Sequence, residues 1–546
     1  MDDPRRLVIG IKSLIKTSNF IQAHKRLREA LNLNLDEETR HQVLLLTIDV
    51  SILLGEKIPL ELLAELEDFL KSAKSNEAIA ETLHAISRAE LRMGRFHEAT
   101  ILERLQNSLG LYQNLSKPKA TVSVLNTLAA VYAKQGNWDD LLKPIAEVFK
   151  LAIEAGDSQG YGRALLYFAF YERMHGRHNL AIDHYKQASQ LLEGARDSFF
   201  LAIALNNLAD LEITLGHLSK GLPLLQRALF LWRTIGHKEK IALILTQIAR
   251  INVLKGNIPE AKVFFDLASN VVPPEQSRNP LELVFELCIL AELERNQGKL
   301  NQALQLTKKA ITLLDEMDNA GGDLAYAWGL TTDILLDMQN ISEAEKALEM
   351  CEMTCGSLEY SEGIVNNIRL RGVLELQKNN FGLAQDYLQA ARERAEQKKY
   401  VQIQIQTELR LADLFLRQLP MKFSKSLRKN AKECLLRASR LAEQNSLKPG
   451  KLEAQILQAV AHSINIEFEK ASELLTTVET TARSLELHLI EKKAHEVKLS
   501  VDSKLELLKL TARTDLSTQE LQDYLSKAQA FIVKSQATFR SALAGP

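Results

Sequence analysis

Between Leu201 and Pro273 one helix-turn-helix pattern occurs twice, forty residues apart, and this repetition most limits what the chain can become. Leu208-Ala209, Gly216, Gly221, Leu225 and Ala228 are answered by Ile248-Ala249, Gly256, Ala261, Phe265 and Ala268, closed by Pro273. The pattern extends in both directions. A seam position on the second helix falls at Ala23, Ala64, Ala99, Leu141, Ala181, Gly221, Ala261, Ala303, Ala344, Ala384, Ala431 and Ala471, at steps of about 40 residues. The series is firmest from Leu141 to Ala384. Stacked repeats pack only on their neighbours, so 546 residues need no single oversized core.

Local chemistry explains the repetition. Five residues before most seam positions stands a glycine: Gly94, Gly136, Gly176, Gly216, Gly256 and Gly298. Helices commonly end on a residue at positive φ, where glycine meets no Cβ penalty. Seven residues earlier lies a large-small pair such as Leu128-Ala129, Phe168-Ala169, Leu208-Ala209, Ile248-Ala249 or Leu290-Ala291. The alanine allows close helix approach and its neighbour fills the seam. Ala181, Tyr185 and Ala188 share one face of the second helix, as do Ala303, Thr307 and Ala310.

Strand signals are nearly absent. Interruptions at 113–119, 273–280 and 315–323 read as short surface loops between repeats. Pro259 suits a first helical turn, whereas Pro144 and Pro223 lie deeper and should bend their helices. After Ala471 the pattern fades. Ser517-Thr518-Gln519-Glu520 forms a capping box ahead of an apolar face of Leu521, Tyr524, Leu525, Ala528, Phe531 and Ile532. That helix reads as a lid over the last repeat; a docking helix for another protein would use the same pattern. The expected organisation is a repeat array over residues 1–480 and capping helices over residues 481–546.

Lys plus Arg number 68 against 69 Asp plus Glu, so no global field attracts nucleic acid or anionic lipid. Cys288, Cys351, Cys355 and Cys434 are too sparse for a disulfide framework and suit a reducing compartment. The start, Met1-Asp2-Asp3-Pro4, carries no signal peptide pattern, and no segment has the run of about 18 charge-poor residues that a membrane span needs. A cytoplasmic protein is the expectation.

Taken together, these residues resemble the tetratricopeptide repeat, with its small-residue and aromatic positions and a closing proline. Leu245, Ile248, Ala249, Asn252, Ala261, Phe265, Ala268 and Pro273 occupy the matching positions of one repeat; Trp328 and Tyr132 take the tryptophan and tyrosine positions of others. The resemblance covers roughly residues 10 to 480, and the period exceeds the usual value of about 34. It is similar to the long-helix variety of kinesin light chains, the LGN/Pins polarity adaptors and the effector-sensing part of MalT-type regulators. Gln339 and Asn379 stand where the glycine belongs; Asn tolerates the left-handed conformation, and Gln fits it worse. The resemblance implies an all-α, right-handed superhelical solenoid of about 10–12 repeats with a C-terminal capping helix.

It also implies a concave groove lined by the first helices. The Asn-Asn-Leu-Ala of kinesin light chain adaptors is matched by Asn206-Asn207-Leu208-Ala209, with Asn126 and Gln247 at related positions. An amide both donates and accepts, so it can grip a peptide backbone of any sequence. The same face carries Arg163, Tyr167, Phe170 and Arg173, then Asp210 and Arg250, then Glu292 and Arg295. This mixture suits peptide capture. A solvated inner face without ligand is the plain alternative.

No phosphate-binding glycine loop or dinucleotide fingerprint occurs, so no cofactor is expected. His175, His178 and His184 lack an acidic partner at metal spacing and read as polar turn residues. Cys351 and Cys355 could hold metal or sense redox state, but read better as small apolar residues at a helix seam. No nucleophile stands with a base and an orienting group. The expected function is a non-catalytic adaptor or scaffold with a protein or peptide partner in its groove, with neither nucleic acid nor membrane as partner. The alternatives are a structural subunit of a complex, or a MalT-like ligand sensor acting through a separate chain. Oligomeric state and partner identity are not legible.

Overall fold

The computed structural model describes residues 4–93, 98–273, 280–315, 321–358, 361–422 and 424–511. They form twenty-five α-helices and no strand. Gly94, the interior of the interruptions at 273–280 and 315–323, and the capping box Ser517–Glu520 with its helix to Ile532 lie outside the described residues.

The turn chemistry repeats faithfully. Gly136, Gly176, Gly216, Gly256 and Gly298 all have positive φ, between 66° and 84°. The next residue's N–H donates back across the turn, as in His217 to the Glu212 carbonyl at 2.8 Å and Asn257 to the Asn252 carbonyl at 2.8 Å. This satisfies carbonyls that the helix end would otherwise orphan. Gln339 (φ 58°) and Asn379 (φ 62°) adopt the same conformation, so the glutamine, though the worse fit, yields to the packing on both sides. Ser18 and Ile466 complete the series five residues before Ala23 and Ala471. The helices Trp138–Ala155 and Leu218–Ile235 run continuously through Pro144 and Pro223.

The seam residues Ala23, Leu141, Ala181, Ala261, Ala303, Ala344, Ala384, Ala431 and Ala471 are buried, as are Ala129, Ala169, Ala209, Ala249 and Ala291 on the first helices. Two expected seam positions are corrected. Ala64 and Ala99 are exposed, because the helix Leu60–Ser72 buries Leu62, Leu63 and Leu66 instead, and the helix Glu98–Asn114 buries Ile101, Leu105 and Tyr112. A larger side chain takes the seam there, and Ile101 keeps the forty-residue step to Leu141.

The described chain divides into two compact units. The first comprises Met1–Leu211, Ser219–Leu245 and Leu267–Ser277. Its early repeats are tied by buried side-chain hydrogen bonds between first helices: His41 Nε2 to Thr82 Oγ1 (2.7 Å) and His84 Nε2 to Thr127 Oγ1 (2.8 Å). It also closes on itself. The turn at Gly55 packs under the His237 ring, Ile21 and Leu54 approach Gly236, and Arg92 donates to Glu239 at 2.5 Å, 147 residues away in sequence.

The second unit comprises Glu212–Leu218, Thr246–Asp266 and Arg278–Pro546. The helix His488–Thr511 packs on Phe468–Ser484 and reaches Pro280–Asn296. Gly216 lies against Val401, and Gly256 against Pro449 and Leu487. Lys262 and Gln297 both donate to Glu486, at 2.5 and 3.1 Å. Lys448 donates to Asn257 across 191 residues of sequence. Late repeats of this unit therefore return onto its early ones.

Candidate functional site

In the first unit, the first helices Pro118–Gln135, Ser158–Met174 and Ser198–Thr214 frame a cavity of about 240 Å³. Tyr167, Phe170 and Phe200 give it an aromatic wall, Leu166 and Ile203 an apolar floor, and Lys134 and Asn207 its polar groups. The helical period explains the convergence: Tyr167 and Asn207 each stand two residues before a buried alanine, Ala169 and Ala209. Trp138 packs beside Phe170, ring centroids 6.0 Å apart, and braces that wall. Burial pushes the Tyr167 hydroxyl up to about 12, against the opposing pull of Arg163, so it stays protonated and able to donate.

The remaining expected groove residues of this unit are engaged with the protein itself. Arg163 pairs with Asp197 at 2.7 Å and lies over the Phe200 ring, 4.2 Å from its centroid. Arg173 pairs with Asp210 at 2.6 Å. Asn126 is buried, with its amide donating to the Val122 and Gly160 carbonyls at 3.1 Å each, so it ties neighbouring repeats together. Asn206 Oδ1 is buried and meets no donor among the described residues, as is also true of Asn126 Oδ1; among those residues Asn206 has no amide contacts of the kind that tie Asn126 into the packing. The structure thus brings Tyr167, Phe170 and Asn207 to one cavity, with Asn206 beside them in sequence. It places Asn126 within the packing.

Gln247, Arg250, Glu292 and Arg295 belong to the second unit. Gln247 is buried. The other three line a cavity of about 210 Å³, bounded by first helices from Lys238–Lys255 round to His488–Thr511. Arg295 Nε donates to Asp337 at 2.6 Å, and Lys493 approaches the same carboxylate at 3.5 Å. Arg369 pairs with Asp333 at 2.7 Å. Glu292 accepts the Tyr326 hydroxyl at 2.6 Å; burial and the Glu292 charge hold that phenol well above its ordinary range. Burial opposes ionisation of Asp337, but Arg295 and Lys493 outweigh it and hold the carboxyl far below the usual range.

Sequence reasoning missed Asp333, Asp337, Arg369, Arg410, Glu453 and Lys493. A signal for one of them existed. Arg410 stands two residues before Ala412, in the register of Tyr167, Asn207 and Gln247, so projecting that position into later repeats would have found it. Lys493 enters only because the last helix returns to earlier repeats, which no local pattern reports.

Among the described residues no group of three or more His, Cys, Asp or Glu could hold a metal ion. His175 Nδ1 hydrogen-bonds the Tyr171 carbonyl at 2.8 Å, and His184 packs on Phe168. Cys351 and Cys355 are both buried, and Cys351 Sγ lies 2.9 Å from Asn367 Oδ1. No described helix is long and apolar enough to cross a membrane.

Residues 120–194 match the family model described as tetratricopeptide repeat. No curated protein matches the chain. Among solved structures it is similar to a Rap protein complexed with competence and sporulation factor, at 13% identity and a TM-score of 0.40, over 68% of this chain and 97% of that one. It is similar to aspartyl phosphate phosphatase F from Bacillus subtilis at 11% identity and a TM-score of 0.43, over 64% and 94%. The corresponding values for NprR in complex with its cognate peptide NprX are 15% and 0.42, over 61% and 97%.

Proposed function

We propose that this chain, a tetratricopeptide-repeat protein, works as an interaction module that holds a segment of a partner protein against the inner helices of its first unit. The supporting observation is the aromatic cavity of Tyr167, Phe170 and Phe200, with Asn207 at its edge and the buried, unsatisfied Asn206 Oδ1 in the same helix. Rigid aromatic rings offer contact area at low entropic cost, and an unsatisfied buried acceptor gains most from a donor that a peptide backbone supplies. The helices are ordered before binding, so the receptor loses little freedom on capture. Arg163 and Arg173, already paired, act here as braces for the wall.

The test is affinity capture from native lysate with the wild type and with Phe170→Ala/Asn207→Ala. Each truncation of a central contact should weaken binding by about 1–3 kcal/mol, enough to lose a micromolar partner. Partners that disappear with the variant support the reading. An unchanged set of partners, with helicity intact, rejects it.

A further inference from the structure

We propose that the cavity inside the second unit binds a small zwitterion of amino-acid size with an apolar side chain, its carboxylate on Arg410 and its ammonium group on Glu453. The proposal concerns a different unit and a different class of ligand from the partner segment above, and does not depend on it.

The argument begins with which charges are satisfied. Around this cavity and the one beside it Arg295 is paired with Asp337, Arg369 with Asp333, and Arg417 with Asp413, while Glu292 accepts a phenol and Arg250 and Glu362 are engaged with the protein itself. Arg410 and Glu453 line the same cavity, on the successive first helices Val401–Gln418 and Lys448–Ile464. Neither makes a hydrogen bond or an ion pair with any described residue. Both are half-buried, and holding a guanidinium and a carboxylate partly out of bulk water without partners is costly. Arg410 nevertheless remains charged: burial lowers its affinity for its proton, but the field of Glu453, followed by Asp413, Asp337 and Asp333, more than restores it.

Two opposite charges on one cavity that do not touch leave a gap shaped for a dipolar molecule. A lone anion would satisfy Arg410 and be repelled by Glu453; a lone cation would do the reverse. A zwitterion satisfies both, with a carboxylate matching the guanidinium fork in bidentate fashion. The side-chain amides of Gln402 and Gln406 also line the cavity without a partner among the described residues and can orient the ligand. Leu409, Leu489 and Ile490 contribute apolar lining and favour an apolar side chain. The volume of about 210 Å³ far exceeds the 10–15 Å³ or so that one water needs.

The test is isothermal titration of the full chain with alanine, valine, leucine, isoleucine, methionine and phenylalanine, each to about 10 mM, where even a weak site of millimolar Kd saturates. At least one should bind at a single site per chain. Its N-acetyl and amide derivatives, which each delete one charge, should bind at least tenfold more weakly, as should Arg410→Gln and Glu453→Gln. Binding by Phe170→Ala/Asn207→Ala should be unchanged, which separates this site from the first unit. The proposal is overturned if none of the six saturates, or if either capped derivative binds as well as the parent; both arms use the unaltered protein. Wild-type affinity in a folded Arg410→Gln variant would also overturn it.

Discussion

Replacing Asp337 by asparagine isolates the charge that holds the second unit's interior together. The carboxylate accepts Arg295 Nε at 2.6 Å and faces Lys493 Nζ at 3.5 Å, and it is buried. At an effective dielectric constant of about 20, each contact represents roughly 5–6 kcal/mol of gross Coulomb attraction. Most of that offsets the desolvation of the three groups, so the gross figure is not the measurable loss. The measurable part is the penalty for leaving cations buried around a neutral amide, about 3–5 kcal/mol. The loss should appear in the helices that contribute the three side chains: Pro280–Asn296, Gly321–Asp337 and His488–Thr511. Because the chain has two units, a single global midpoint would blur the effect; amide hydrogen exchange resolved to these helices is the suitable assay. Adding Arg295→Met to Asp337→Asn should recover part of the loss, since removing both partners costs less than removing one. The pH dependence has a definite sign. The folded carboxyl titrates below its ordinary value, so its contribution is complete above the ordinary carboxylate range and disappears only as strong acid protonates it. Asp337→Asn should abolish that acid step. Exchange in the three helices unchanged to within about 0.5 kcal/mol would refute the reasoning and mark the network as hydrated in the manner of a surface pair.

Two further outcomes concern the first unit. Gly55→Ala and Gly156→Ala both place a side chain at positive φ, 71° and 64°, and each should lose about 1–2 kcal/mol for that conformation. Only at Gly55 would the new Cβ stand 2.2 Å from the His237 ring, so its thermal unfolding temperature should fall further; equal losses would contradict the closure described at that turn. Burial, aided by Arg88 at His84 and by Lys240 and Arg92 at His237, holds both imidazoles well below their ordinary value. The unfolded chain then binds protons first as pH falls, so stability should decline from about pH 6.5 toward 5. Denaturant titrations across that interval should show the slope reduced in His84→Gln and His237→Gln, and an unchanged slope would count against buried neutral imidazoles.

The fold was legible wherever the physics was local. Gly216 and Gly256 announce helix ends because positive φ selects glycine, and Ala209 and Ala249 announce seams because only a small side chain lets helices approach. Ala64 and Ala99 misled because a small residue on an amphipathic helix looks the same whether it faces a neighbour or solvent; the leucines and the isoleucine nearby decide which. Ile466 at a φ of 64° was not legible, since a β-branched residue takes that conformation only when packing on both sides requires it. For the candidate site, the face projected from the family resemblance included Tyr167, Phe170 and Asn207, which line one cavity. That projection could not tell that Arg173 is taken by Asp210, or that Arg410 is left open. Those outcomes depend on side-chain reach between helices, which spacing along one helix does not encode.

The return of late repeats onto early ones in the second unit has a consequence for synthesis. A simple repeat array can complete itself behind the ribosome, each new pair docking on the last. Here Asn257 waits for Lys448, 191 residues later, and Gln297 waits for Glu486 across 189. At about 5–20 residues per second, the surfaces around Gly256 and Gly298 stay uncovered for roughly 10–40 s of translation. During that interval the nascent chain presents apolar turns and open inner helices that the finished molecule hides, so this unit, like the first, whose Gly55 turn waits for His237, has need of a chaperone and is sensitive to where translation slows.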